Sequence, residues 1–130
     1  MDIPATATSR SIPPSKALGD YGEQLAARYL TEHGLTVLQR NWRCARGELD
    51  IIAMDGDCLV VCEVKTRTSD AFGAPFEAVG RLKRARLYRL ARMWRRQADP
   101  AYQGRDLRVD VISIVRPVTG PASLQHLRCI

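Results

Sequence analysis

The chain has 130 residues, 45% hydrophobic and 26% charged, with 20 basic against 14 acidic side chains and a net charge of +6. That length suits one domain with its own core, and that balance excludes wholesale disorder and fibrous repeats. No apolar run approaches the ~20 residues of a membrane helix and no secretory signal stands out, so a cytoplasmic, non-membrane protein with an anionic partner is expected.

Residues 1–16, with Pro4, Pro13 and Pro14 among small polar residues, read as a flexible arm, and residues 17–130 as the single domain. From Ala17 to His33 the apolar positions Leu18, Tyr21, Leu25, Ala26, Tyr29 and Leu30 follow a three-four spacing, and Gly34 ends an amphipathic helix. Leu35–Arg40 reads as a strand and Asn41–Gly47 as an arginine-rich loop. Glu48–Met54 and Cys58–Thr66 are strand-like runs joined through Asp55-Gly56-Asp57, a strong hairpin signal. After Gly73 and Pro75 a long helix is expected from about Phe76 to Gln97, broken by Asp99-Pro100 and Gly104. Leu107–Val115 is apolar enough for a strand covered on both faces, and Leu124–Ile130 adds a short edge strand. The order αβββαβ(β) predicts an α/β fold, a mixed central sheet with a helix on each side.

Strand residues two apart share a face. Glu48 and Asp50 therefore point one way on the second strand, and Glu63 and Lys65 one way on the third. With Asp55-Gly56 at the turn, Glu48 faces Glu63; with Gly56-Asp57 there, Asp50 faces Glu63. Either turn puts Asp50, Glu63 and Lys65 on one face, whereas a three-residue turn without a bulge separates Asp50 from Glu63. Carboxylates in so apolar a hairpin repel one another and lose hydration, which costs roughly several kcal/mol per ion unless compensated. A divalent cation compensates, and all-oxygen ligands suit Mg²⁺ or Mn²⁺ rather than zinc. The plainer alternative is a strand end where these groups reach solvent and Lys65 simply pairs with an acid.

The four cysteines, Cys44, Cys58, Cys62 and Cys129, have neither zinc-site nor disulfide-scaffold spacing and read as free thiols. Between Arg81 and Arg96 there are eight basic residues and no acid. A helical wheel gathers Val79, Leu82, Leu87, Leu90, Met93 and Trp94 on one side and spreads arginines over the other. That face is either solvated or an electrostatic footprint for nucleic-acid backbone, with Arg84, Arg92 and Arg95 as candidate contacts and Tyr88 placed to stack. Lys83 and Arg86 intrude on the apolar side. Lys83 either snorkels to water or reaches the acidic site or the scissile phosphate. Asp110 either neighbours the site or pairs with Arg108 or a backbone donor.

Gly47-Glu48-Leu49-Asp50, followed after the hairpin by Glu63-Val64-Lys65, resembles the Asp…(Asp/Glu)-x-Lys signature of restriction-endonuclease-like nucleases. Gly19-x-x-Gly22-Glu23, Asn41, Arg67, Phe72-Gly73, Lys83 and Arg108-Val109-Asp110-Val111 extend the resemblance over about residues 16–115 to the YraN-type bacterial family, expected endonucleases similar to archaeal Holliday junction resolvases. The resemblance implies a restriction-endonuclease-like core and Mg²⁺- or Mn²⁺-dependent hydrolysis of DNA, including branched or structured DNA, with RNA still open. It implies Asp50 and Glu63 as metal ligands with the Val64 carbonyl as a third. Lys65 is then the lysine that stabilises the transition state or helps generate hydroxide, and Glu23 a further acid. Glu48, Arg67 and Asp110 stand as accessory positions. Leu49 replaces the proline of the broader signature, a residue that carries no chemistry. Resolvase-like nucleases act as symmetric dimers, so a homodimer is also expected. Two other readings are a non-catalytic nucleic-acid-binding or assembly module that keeps the fold, and an adaptor for an acidic partner.

Overall fold

The structure, a computed structural model, describes residues 14–69 and 80–130. The expectations for the arm before Pro14, and for Phe72, Gly73, Pro75 and the helix start at Phe76–Val79, lie outside the described residues. Helix α1 (Pro14–Glu32) leads into strands β1 (Thr36–Cys44), β2 (Gly47–Asp55) and β3 (Cys58–Arg67); helix α2 (Arg81–Gln97), a 3₁₀ turn (Pro100–Tyr102) and strands β4 (Asp106–Val115) and β5 (Ser123–Leu127) complete the described order. The helix begins at Pro14 rather than Ala17; proline suits a first turn, where its missing N–H forfeits no helical hydrogen bond.

The sheet runs β1-β2-β3-β4-β5, with β3 and β4 parallel and every other pair antiparallel. This is the expected α/β fold with a mixed sheet. The β2–β3 register pairs Asp55 with Cys58 and Ile51 with Cys62, which leaves Gly56-Asp57 as the turn. Gly56 has φ +60 and Asp57 has no positive φ, the pattern that a glycine at the first central position of a type II′ turn supplies. Continued one step, the register sets Asp50 opposite Glu63.

Each helix covers one face. On the α1 side, Ala26 and Leu30 bury against Ile51, Val60, Ile112 and Ile114. On the α2 side, Leu87, Leu90, Ala91 and Trp94 bury against Trp42, Ile52, Val61 and Val109. Each buried leucine contributes roughly 2 kcal/mol. Trp94 also donates its indole N–H to Gln39 on β1 at 2.9 Å, tying α2 to the sheet edge. Leu82 is not part of this apolar face; it is 87% exposed, and Ala91 fills the row instead. Tyr88 is likewise partly buried against the α2-side cluster rather than standing out on the basic face.

Gly22 sets how closely α1 lies on the sheet. A Cβ there would stand 1.7 Å from the Thr66 hydroxyl oxygen, so only glycine permits the approach that brings the next residue, Glu23, toward the ends of β2 and β3.

The expected loop at Asn41–Gly47 is corrected: β1 continues to Cys44, with Trp42 buried opposite Leu49. The side-chain alternation of β2 is also interrupted. Leu49 joins the α2-side cluster and Ile51 the α1-side cluster, although they are two residues apart. The break falls at Asp50. The flanking pairs Arg40 with Ile51 and Trp42 with Leu49 set Asn41 opposite it. Asn41 has φ +54, a left-handed conformation that asparagine tolerates better than most residues.

Candidate functional site

The end of the β2–β3 hairpin and the first half of α2 enclose a pocket of about 260 Å³, lined by Gly47, Glu48, Asp50, Glu63, Lys83, Arg86, Leu87 and Leu90. Two of the expected metal ligands, Asp50 and Glu63, therefore share one concavity. The Val64 N–H donates to Asp50 Oδ2 at 2.9 Å, bridging the two strands at their end. What Val64 shows toward the pocket is this N–H; its carbonyl remains an expectation.

Asp50 is the electrostatic centre. Burial, then the negative charge of Glu63, push its carboxyl up to about 7; the Val64 N–H pulls the other way, and Glu23 and Glu48 add to the rise. Glu23, reaching in from α1, is also raised, chiefly by burial, with a hydrogen bond from the Asn41 side chain and the charge of Arg40 opposing. Four acids from two faces of the sheet thus act on one another at one strand end.

The lysine in contact with these acids is not Lys65. Lys83 Nζ lies 2.6 Å from Glu63 Oε2, its side chain 35% exposed and that of Glu63 13% exposed. Lys65 is exposed on β3 at the level of Ser113 and does not line the pocket. Glu48 pairs with Arg43 at 3.4 Å near the surface. Arg67 ends β3, where its carbonyl accepts from the Arg116 N–H at 2.7 Å.

Asp110 sits elsewhere. It is fully buried and accepts from Arg108 Nε and Nη2 at 2.9 and 3.0 Å, from the Cys129 N–H at 2.9 Å and from His126 Nε2 at 2.7 Å. In the neutral ring, His126 Nδ1 then accepts from the Tyr29 hydroxyl at 3.1 Å. Burial alone would raise the Asp110 carboxyl, but these donors hold it below the usual carboxylate range. The expected pairing with Arg108 and a backbone donor is what the structure contains.

Among the candidate contacts on α2, Arg84 and Arg92 are exposed, while Arg95 turns to donate to the Arg105 carbonyl at 2.6 Å. Sequence reasoning missed the parts of Asn41 and Arg86. The signals were present: an asparagine amid arginines, opposite the acidic strand, and a cation on the apolar side of a helix.

The donor set is all-oxygen, and Asp50 has one neutral donor against several negative neighbours. That shortage of positive charge fits a hard divalent cation. Among the described residues no three His, Cys, Asp or Glu side chains already form a metal cage; Asp50 holds the Val64 N–H and Glu63 holds Lys83. The four cysteines are free thiols. Among the described residues no helix is long and apolar enough to cross a membrane.

Residues 22–114 match the uncharacterised protein family UPF0102. A UPF0102 protein of Nocardioides is 52% identical over 115 residues, covering 88% of this chain and 91% of its own. The UPF0102 protein of Kineococcus radiotolerans is 53% identical over 111 residues, covering 85% and 90%. That of Streptomyces griseus is 50% identical over 113 residues, covering 86% and 93%. The matched span holds the described lining of the acidic pocket, from Gly47 on β2 to Leu90 on α2, together with Glu23 on α1, and the chain belongs to this UPF0102 family, the YraN-type family that its motifs resemble.

Proposed function

We propose that this protein is a metal-dependent endonuclease hydrolysing phosphodiester bonds in DNA. The observation that carries this reading is Asp50. A carboxyl pushed up to about 7 by burial and by Glu63 is an unfavourable group to keep in a fold, and a bound cation removes the penalty.

Asp50 and Glu63 are the residues that hold Mg²⁺ or Mn²⁺, which when bound neutralises charge growing on the phosphoryl oxygens and supplies a nucleophile near neutral pH. The chain's own groups do the rest. Lys83 and Arg86, edging the same pocket, orient the scissile phosphate by charge. Glu23, its carboxyl raised chiefly by burial, is a further acid whose charge acts on Asp50. Lys65, exposed beside Glu63, is free to meet a substrate arriving from solvent.

One observation favours the second reading, a nucleic-acid-binding module without catalysis. The Lys83 ammonium already neutralises Glu63 at 2.6 Å, as a fixed internal cation does in a site that needs no metal.

Asp50→Asn separates the two. Linear, flapped and four-way DNA are incubated with Mg²⁺ or Mn²⁺, and melting is followed with and without Mn²⁺. For the nuclease, wild type cleaves and the variant loses on the order of 100-fold or more, equivalent to about 2.7 kcal/mol of barrier. The Mn²⁺-induced rise in melting temperature vanishes, and DNA binding holds or tightens. Wild-type cleavage by the variant, or an equal Mn²⁺-induced rise, sinks the metal assignment. DNA binding by the wild type with no cleavage under either metal selects the binding module.

A further inference from the structure

We propose that the cleft between the β1–β2 turn and the C-terminal half of α2 is a second phosphate-binding site, which holds the backbone of a nucleic-acid strand beside the acidic pocket. This inference rests on the nucleic-acid part of the proposed function, not on cleavage. The cleft has a volume of about 400 Å³ and is lined by Arg46, Arg89, Arg92, Met93 and Arg96. Four guanidinium groups line one concavity, and among the described residues no acid lines it.

Several arginines elsewhere in the described chain have partners. Arg43 meets Glu48, Arg105 meets Asp57, Arg108 meets Asp55 and Asp110, and Arg95 donates to a carbonyl. Arg46, Arg89, Arg92 and Arg96 are exposed and have no ion pair among the described residues. The negative end of the helix dipole accounts for a cation at Arg96. It does not account for Arg46, which comes from a separate turn and converges on the same space. Like charges brought together in a concavity repel one another, and an anion shared among them turns that repulsion into attraction. Arginine's planar fork suits phosphate oxygens, and Met93 offers an apolar wall for sugar or base.

The cleft adjoins the acidic pocket through both of its walls. Arg46 precedes Gly47, and Arg89 lies one helical turn beyond Arg86; Gly47 and Arg86 both line the pocket. From Lys83 to Arg92 the helix advances nine residues, about 14 Å at 1.5 Å each. One strand of a duplex carries a phosphate every ~3.4 Å of axis, so a span of this length lets Lys83 and the cleft meet different phosphates of one strand. A ligand engaging both places must carry regularly spaced anions, as a phosphodiester chain does.

The test is made in EDTA, where no cleavage can occur. Anisotropy of a fluorescent 20-base-pair duplex across a salt series compares wild type with the double variants R46Q/R92Q, R46K/R92K and R28Q/R128Q. Arg28 and Arg128 are exposed arginines outside the cleft. At ~0.9 of log–log slope per phosphate contact, R46Q/R92Q should flatten the slope by about 1.8 and weaken binding about tenfold or more at 0.1 M salt. R46K/R92K should keep most of the slope, and R28Q/R128Q should lose less than about twofold. Equal loss from R46Q/R92Q and R28Q/R128Q reduces the effect to net charge and overturns the proposal, as does no loss from R46Q/R92Q. Displacement of the duplex by polyglutamate at matched charge concentration overturns it in favour of an acidic protein partner. Because the assay holds no metal, the site can stand if cleavage fails, and can fail while cleavage stands.

Discussion

Asp50 and Asp110 stand on the two strands that flank β3, one at the level of Glu63 and the other paired with Cys62. The fold treats them oppositely. Asp110 is fully buried yet surrounded by a forked guanidinium, an imidazole and a backbone N–H, and its carboxyl is held low. Asp50 is only partly buried, has one backbone N–H and several acids around it, and is pushed up to about 7. Burial does not distinguish the two; the supply of compensating charge does. The fold builds the first environment and leaves the second uncompensated, and on the proposed function that gap is where a cation from outside would bind.

The widest test of that contrast is to neutralise each aspartate in turn. Asp110→Asn leaves Arg108, whose side chain is 17% exposed, facing an amide in place of one of its two anions, with the partly exposed Asp55 as the other. Breaking such a buried pair should cost about 3–5 kcal/mol in urea unfolding. Asp50→Asn in chelator should cost nothing or stabilise. Equal destabilisation would erase the distinction.

A smaller effect sharpens it through pH. In the folded chain Asp50 takes up its proton near 7, against 3.8 for an unperturbed aspartate. Between those values the folded state binds more protons than the unfolded state, so metal-free stability attributable to Asp50 falls as pH rises from about 4 to 7. The decline should be about 3 kcal/mol and should disappear in Asp50→Asn. Asp110 acts with the opposite sign: its lowered carboxyl stabilises the fold at neutral pH, and that contribution is lost as pH drops below the ordinary aspartate range. Urea titrations of both variants at several pH values separate the two slopes.

The smallest expected change concerns Lys83. Lys83→Met removes the cation 2.6 Å from Glu63 while keeping much of the apolar stem. Metal-free stability should fall by about 1 kcal/mol, because the pair is partly open to water. Mn²⁺ should recover the loss by binding the freed carboxylate. A loss that Mn²⁺ leaves untouched would make the ion pair a structural contact only.

Much of the fold was legible because local physics dominates it. The Asp-Gly turn, the apolar runs on either side and the three-four spacing of α1 each act over a few residues. The end of β1 was not legible: Arg40, Asn41 and Arg43 look like loop, and only the burial of Trp42 against Leu49 makes them strand. The pairing of Asp50 with Glu63 was readable as one of two turn choices, but the break in alternation at Asp50 depends on Asn41 from another strand. Leu82 belongs to the apolar side of a wheel yet meets no core, since a wheel does not know where a sheet ends. Lys65 shares a strand face with Glu63 through its spacing, and Lys83 gains its contact with Glu63 from a helix packed across the face, which no local spacing shows.

The bond between Tyr29 and His126 spans 97 residues and joins the first helix to the last strand. Bringing such distant segments together carries the larger loop-closure entropy, whereas a hairpin closed by a two-residue turn forms in about 1–10 μs. The strand pair bearing Asp50 and Glu63 is therefore closed by chain that is nearly contiguous, at the smaller entropic cost. The network around Asp110 waits for the whole topology. Until it closes, Asp110 has the Arg108 fork from its own strand but lacks its imidazole and the Cys129 N–H. Tyr29–His126 thus joins segments that only the complete topology brings together, whereas the strand half of the acidic pocket comes from neighbouring chain.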